Sequence, residues 1–355
     1  MENYISAINK IIADALKQGA SDVHLVAGTP VTFRIDGVLK NYTENVLSFE
    51  DCEEFGKVLS EDYESLSKTG DQDTAYSFEC GCRCRINLFR QQGCTSAAIR
   101  LLNENIPDFD ELALPPEAKR FIQFNNGLVL ITGETGSGKS TTIASLLNII
   151  NKTQHKHIIT LEDPIEYVFK REKCVINQRE VGRDAKNYSD GLKALLRQDP
   201  DIIMIGEMRF LETIETAILA AETGHLVFAT LHTNSAGESI DRIVDVFPEI
   251  QQRQIRLRLS MSLQAVMCQQ LLPKANTKGR VVATELMFVN GGIRNMIREA
   301  KTPQLINAIT TDASHGSHTM DSCLIKLAKE RKITNETATS AAADSEYVAR
   351  QLLFL

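Results

Sequence analysis

The sequence predicts an α/β protein of two domains: a small α+β domain, then a parallel sheet with covering helices that holds a phosphate-binding loop. Three observations carry this. The chain has 355 residues, more than the roughly 250–300 that one hydrophobic core usually serves. Gly133–Ser140 (GETGSGKS) fits the spacing G-x-x-x-x-G-K-[ST] between an apolar run and a helical one. From Glu117 onward, strand-like and helix-like stretches alternate, as in a parallel sheet with crossover helices. The expected boundaries are 1–102 for the first domain, 103–116 for a linker, and 117–355 for the second domain with its C-terminal helices.

In the first domain, residues 5–18 repeat apolar positions at helical spacing, and Gly19 is a C-cap signal. Val23–Val26 and Val31–Ile35 read as short strands joined through Gly28, Thr29 and Pro30. Asp36-Gly37 is a hairpin turn signal leading into Val38 and Leu39. Phe49–Lys68 reads as helical with acidic residues outward; Ala75–Glu79, Arg83–Phe89 and Ser96–Leu102 read as three further strands. Cys80, Cys82 and Cys84 alternate, so they are expected on one strand face as small buried apolar residues, since a metal site favours C-x-x-C pairs. Asn103–Pro116 holds Pro107, Pro115 and Pro116 and suits a linker.

In the second domain, Gly127–Thr132 reads as a buried strand entering the glycine-rich loop, and Thr141–Asn148 as a helix leaving it. Glycines allow the backbone to curl so that successive N–H groups point inward at phosphate oxygens. The helix adds the positive end of its dipole. Lys139 is expected to reach the β- and γ-phosphates, and the Ser140 hydroxyl to ligate Mg²⁺. The expected nucleotide-binding set is Gly133, Glu134, Thr135, Gly136, Ser137, Gly138, Lys139, Ser140 and Thr141, with ATP and Mg²⁺ as its ligands.

Hydrolysis also needs a water activator and a charge sink for the γ-phosphate. Ile158–Leu161 is an apolar strand ending in Glu162 and Asp163. Strand ends beside a phosphate loop are where ligands sit in open α/β sheets. Glu162 is the choice for polarising water, and Asp163 for orienting it or touching Mg²⁺ through a water, although a Glu-Asp pair before Pro164 also suits a plain turn. Ile202–Ile205 ends in Gly206-Glu207, a Walker-B-like carboxylate for the Mg²⁺ shell, whereas Asp201 at the other end suits a turn with Pro200. Leu226–Thr230 is flanked by His225 and His232, each either structural or a γ-phosphate sensor. Arg83, Arg85, Arg90, Arg100 and Arg209 are candidates for neutralising transition-state charge, though each singly reads as a solvated surface charge. Residues 311–355 read as a polar loop then helices without visible chemistry, with His315 and His318 in the loop.

Composition narrows the partners. The net charge is −7, from 39 basic and 46 acidic residues, which argues against nucleic acid as the main partner. Hydrophobic residues are 43% and charged residues 24%, an ordinary globular balance. No apolar run approaches the ~20 residues of a membrane span, and the first residues lack a signal-peptide layout. Eight scattered cysteines suit reduced thiols, so a cytoplasmic location is expected.

Taken together these motifs resemble those of the secretion-type ATPases and, within them, the type IV pilus retraction (twitching motility) ATPases. Ser21–Leu25 and Arg34–Gly37 look like that family's N-terminal signature, and Glu134–Thr141 is similar to its Walker A. Ile159–Glu166 resembles its Asp box, Asn177–Asp184 and Gly206–Arg209 its next landmarks, and Thr223–Thr233 its His box. Ile293–Glu299 resembles the retraction-specific C-terminal motif, and the C-x-x-C pairs of the extension and type II secretion ATPases are absent after Leu271. Phe210 and Ala229 depart from the pattern, where Asp and Gly are usual. The resemblance implies a RecA-like P-loop ATPase domain preceded by a small PAS-like domain, in a homo-hexameric ring with nucleotide at each interface. It implies Glu162 as the catalytic glutamate and Arg85 and Arg100 as arginines acting in trans. It further implies force delivered to an inner-membrane platform protein, from a peripheral position at the inner face of the cell membrane, and admits a second retraction ATPase as partner.

Three rival readings stand beside a ring motor: a DNA translocase, a small-molecule kinase, and a nucleotide-binding accessory subunit without strong turnover. Turnover by the purified protein, with and without DNA, separates them.

Overall fold

The computed structural model describes residues 2–35, 37–102, 105–277 and 279–353. It divides into two compact units, Met1–Asn105 and Ile106–Leu355. Asp36 of the expected hairpin turn and the first two linker positions, 103 and 104, lie outside the described residues.

The first unit holds α1 (Glu2–Lys17), β1 (Ala20–Leu25), β2 (Pro30–Ile35), β3 (Val38–Val46), α2 (Phe49–Leu59), α3 (Tyr63–Thr69), β4 (Asp71–Ser77), β5 (Arg83–Gln91) and β6 (Cys94–Leu101). Its described strands form one antiparallel sheet in the order β3-β2-β1-β6-β5-β4. Strand alternation decides which side chains enter the core. On β5, Cys84, Ile86 and Leu88 are buried with Ile8 and Ile12 of α1 and with Val23, Phe33 and Ile99, while Arg83, Arg85 and Asn87 point the other way.

Two expectations for this unit need correction. The helical stretch expected over Phe49–Lys68 is broken at 60–62 into two helices, because Ser60 is extended and the Asp62 side chain accepts from Ser65 N, capping a new start. Cys80 does not share a strand face with Cys82 and Cys84. It sits exposed in the turn before β5, while the other two are buried with sulfurs 3.8 Å apart.

The second unit carries β7 (Gly127–Thr132), α4 (Lys139–Thr153), β8 (His157–Glu162), β9 (Val175–Glu180), α5 (Tyr188–Leu195), β10 (Ile202–Ile205), α6 (Leu211–Glu222), β11 (Leu226–Leu231), α7 (Ala236–Asp245), α8 (Glu249–Ser262), β12 (Leu263–Pro273) and β13 (Arg280–Phe288). Then come α9 (Gly291–Arg298), α10 (Leu305–Thr311), α11 (Met320–Lys329), α12 (Asn335–Ala341) and α13 (Ser345–Leu353). The strand order is β13-β12-β7-β11-β10-β8-β9, parallel except for β13. β7, β8, β10 and β11 are buried on both faces, as a parallel sheet covered on both sides requires. One core lies between the sheet and α4; the other holds residues of α5 to α13.

The segment 106–116 is not a free linker. Phe109 and Leu114 are buried in the α4-side core beside Ala118 and Phe121, so apolar burial attaches it to the second unit. Phe210 is the N-cap of α6, makes no side-chain cap bond and is 61% exposed. Phe210→Asp should supply the missing acceptor and stabilise the protein by about 1 kcal/mol. A melting curve should move upward by roughly 2–4 °C; a fall would refute the capping argument.

Candidate active site

The loop after β7 is built by close approach. A Cβ on Gly133 would lie 2.3 Å from the Gln269 carbonyl oxygen of β12, so only glycine fits there, and φ of +140° agrees. Gly138, at φ +93°, turns the chain into α4. Lys139 Nζ donates to the Gly133 and Glu134 carbonyls at 2.7 and 2.9 Å. Burial pulls the Lys139 ammonium down from its ordinary range, and Glu207 and Glu166 oppose that. Ser137 is buried, and among the described residues its Oγ has no hydrogen-bond partner. A buried orphan hydroxyl beside a lysine and a helix N-terminus fits a phosphate group.

Parallel register decides what joins the loop. β11 pairs with β7 from Leu226↔Gly127 to Leu231↔Thr132, so the C-terminal end of β11 lies beside the loop. β8 and β10 end at the same edge. Glu162, Glu207 and His232 therefore converge there, with Asp163 exposed next to Glu162. The same register corrects one expectation. His225 precedes β11, and its carbonyl accepts from Gly127 N at the opposite sheet edge. A six-residue strand spans roughly 20 Å, so His225 is no nucleotide ligand; its Nδ1 lies 3.0 Å from the Ala220 carbonyl.

Glu162 is buried, which pushes its carboxyl up; Thr160, Gln178 and the Glu166 N–H act against that. Its Oε1 accepts from Thr160 Oγ1 at 2.6 Å and from Gln178 Nε2 at 3.3 Å, and its Oε2 lies 3.5 Å from Glu166 N. Oε1 is anchored by two side chains, while Oε2 carries only the longer contact from the Glu166 N–H. Glu207 Oε1 meets Arg209 Nε at 3.0 Å and His232 Nε2 at 3.4 Å. Burial, then Lys139, pull the His232 imidazole down, against the pull of Glu207. His232 thus sits beside a carboxylate at the loop edge, with burial and Lys139 favouring its neutral form. The Asp201 carboxylate accepts from His157 N at 2.8 Å, so it closes the far end of β10.

Arg85 and Arg100 are cross-strand partners on the face of the first unit's sheet away from its helices. Arg100 Nε is 3.0 Å from Asp22 Oδ1, and Arg85 is 3.7 Å from Asp73. Arg34 approaches the other Asp22 oxygen at 3.8 Å, so the Asp22 carboxylate is shared by two guanidinium groups, Arg34 and Arg100.

Thr160, Gln178 and Glu166 lie within the family-like segments 159–166 and 177–184, but no sequence signal singled out a role for any of them. Thr160 and Gln178 are direct partners on β8 and β9, a pairing no local window contains. Gln178 also donates to the Tyr167 carbonyl at 2.7 Å and accepts from Phe169 N at 3.0 Å, so it holds Glu162 and the chain after it together. Gln178→Leu should leave KM for ATP near its parent value and lower kcat roughly 10–100-fold, the usual effect of a misplaced catalytic group. An unchanged kcat would remove Gln178 from this role.

The comparisons with known proteins agree with the geometry. The model of the family described as "Type II/IV secretion system protein" matches residues 2–352. The type IV pilus retractation ATPase PilT of Pseudomonas aeruginosa is 44% identical over 337 residues, covering 94% of this chain and 98% of its own. A twitching motility protein of Neisseria gonorrhoeae is 37% identical, covering 96% and 91%. A crystal structure of the pilus retraction motor PilT with bound ADP superposes with a TM-score of 0.91 at 46% identity, covering 97% of this chain and 99% of that one. The chain therefore belongs to the type II/IV secretion system protein family and stands among its pilus retraction ATPases.

Proposed function

We propose that this protein is an ATPase motor whose hydrolysis drives type IV pilus retraction and twitching motility. The carrying observation is the convergence of Lys139, Glu162, Glu207 and His232 at one sheet edge around the phosphate loop, in a chain whose relatives are named for that work. The loop N–H groups and Lys139 hold the phosphates, Glu162 positions and polarises water, and His232 with Glu207 responds to the γ-phosphate. Ser140 and Glu207 offer the hard oxygen donors that Mg²⁺ takes; the ion would neutralise charge on the β- and γ-phosphates.

The active assembly in this reading is a homo-hexameric ring, with Arg85 and Arg100 of one copy acting on nucleotide held by the next. The first unit takes the PAS-like role, and the ring works from the cytoplasmic side against an inner-membrane platform protein, in some systems beside a second retraction ATPase. Among the described residues no helix is long and apolar enough to cross a membrane, so attachment in this reading goes through partners. Deleting the gene in its host should leave surface fibres that form but no longer shorten, and purified protein should hydrolyse ATP without stimulation by DNA. Fibres that still shorten at the parental rate would overturn the retraction reading.

A further inference from the structure

Glu285 is a buried carboxylate that hydrolysis chemistry does not use. It sits on β13, 6% exposed, and each of its oxygens receives a backbone N–H. Oε1 accepts from Ala236 N at 2.8 Å and Oε2 from Met320 N at 3.4 Å. Ala236 is the first residue of α7, and Met320 is the first of α11. An ionised carboxylate shared by two helix N-termini is favoured by both dipoles. Burial holds the Glu285 carboxyl above its ordinary range, both N–H bonds pull against that, and the nearby Asp321 adds to the rise.

The two helix starts differ in what they carry. Four residues before Ala236 lies His232, and the connecting segment is tied down by Thr233 Oγ1 to Ser239 Oγ at 2.7 Å and by the Ser235 cap on Glu238 N. Residues 317–320 are clamped to β13. Leu286 and His318 exchange backbone hydrogen bonds, Thr284 Oγ1 lies 2.9 Å from His318 Nε2, and Phe288 N donates to Ser317 Oγ. Next to Met320, the buried Asp321 accepts from Ala343 N and Asp344 N, extending the chain of contacts to the start of α13. A cleft of about 390 Å³ beside the phosphate loop is lined by Ser137 and Asn234 on one side and by Ser340 and Ala341 of α12 on another. Of the C-terminal helices, α12 thus borders the same cleft as the segment that carries His232.

We propose that Glu285 is a positioning residue that sets the His232 segment and links it to the C-terminal helices, so that the response to the γ-phosphate reaches α11 to α13. The proposal rests on the ATPase reading above. A glutamine here keeps the volume but offers only one acceptor oxygen, so one of the two N–H groups loses its partner. Its test compares the parent with Glu285→Gln in the full-length assembly, using ADP and ATPγS with Mg²⁺. Glu285→Gln should bind ADP within twofold of the parent, because the phosphate loop is untouched. It should lose most of the parent's preference for ATPγS over ADP, and its kcat should fall about tenfold at similar KM. A purely structural role would lower the melting temperature and leave that preference intact, which would overturn the proposal.

Hydrogen exchange on the parent gives a second readout that does not depend on the variant folding. Segments 232–240 and 318–326 should gain protection together when ATPγS replaces ADP. Protection confined to 232–240 would also overturn it. A parent that hydrolyses no ATP would instead refute the ATPase reading, and the exchange pattern with bound nucleotide would still decide the coupling.

Discussion

Glu162→Gln should bind ATP as tightly as the parent and turn it over about 10²–10⁴-fold more slowly, the range spanned by loss of a positioned general base. The expectation follows from how the carboxylate is held. Thr160 and Gln178 occupy Oε1, so a glutamine that keeps its oxygen there retains both of those contacts and gives up only the 3.5 Å one from Glu166 N to Oε2. What changes is Oε2, which becomes an NH₂ group and can no longer accept a proton from water. Burial makes the difference large, because few solvent molecules stand in for the missing base. Binding of a fluorescent nucleotide checks the first half and steady-state phosphate release the second. A loss of less than threefold would pass the role to Glu207 or Glu166, the two carboxylates whose fields reach Lys139.

Arg100→Ala should lower turnover by about 10³-fold or more in the intact assembly, as removal of a transition-state arginine does in related phosphoryl-transfer sites. Stability should barely change. The Arg100 side chain is 67% exposed, and its contact with Asp22 is an exposed pair worth about 0–1 kcal/mol. Arg34 remains beside Asp22 to take over part of that contact. Mixing gives the sharper measurement. Lys139→Ala copies lack the phosphate lysine but keep their arginines, and Arg100→Ala copies have the reverse defect. If each site is shared between copies, a random one-to-one mixture places about a quarter of the head-to-tail interfaces in the competent pairing, and activity returns. Mixed assemblies that stay as inactive as either variant alone would show that Arg100 acts within its own chain or not at all.

Much of this site was legible in the sequence because its determinants are local. Gly133 to Ser140 are consecutive, and the apolar runs before Glu162 and Glu207 identify buried strands whose ends must carry those carboxylates. The two flanking histidines show where local reading stops. His225 and His232 bracket β11 symmetrically in sequence, and only strand direction separates the one beside the loop from the one at the far edge. Thr160 and Gln178 meet through the β8–β9 register, and Glu285 reaches α7 and α11 across residues far apart in the chain. The linker and the break in the helical stretch 49–68 escaped local reading for a related reason. Burial of Phe109 and Leu114 and the cap at Asp62 are choices made by packing and by a single side-chain bond, against which three prolines or a helical period are weak signals.

By itself, then, the sequence determined the phosphate loop and the family to which the chain belongs, and it put candidate acid and base groups at strand ends, because each is written in residues that are neighbours along the chain. Tertiary structure alone decided which histidine faces the nucleotide edge, which oxygen of Glu162 is anchored, and how a buried carboxylate joins two distant helices. Those depend on strand pairing and on desolvation, which arise only when segments remote in sequence exclude water together.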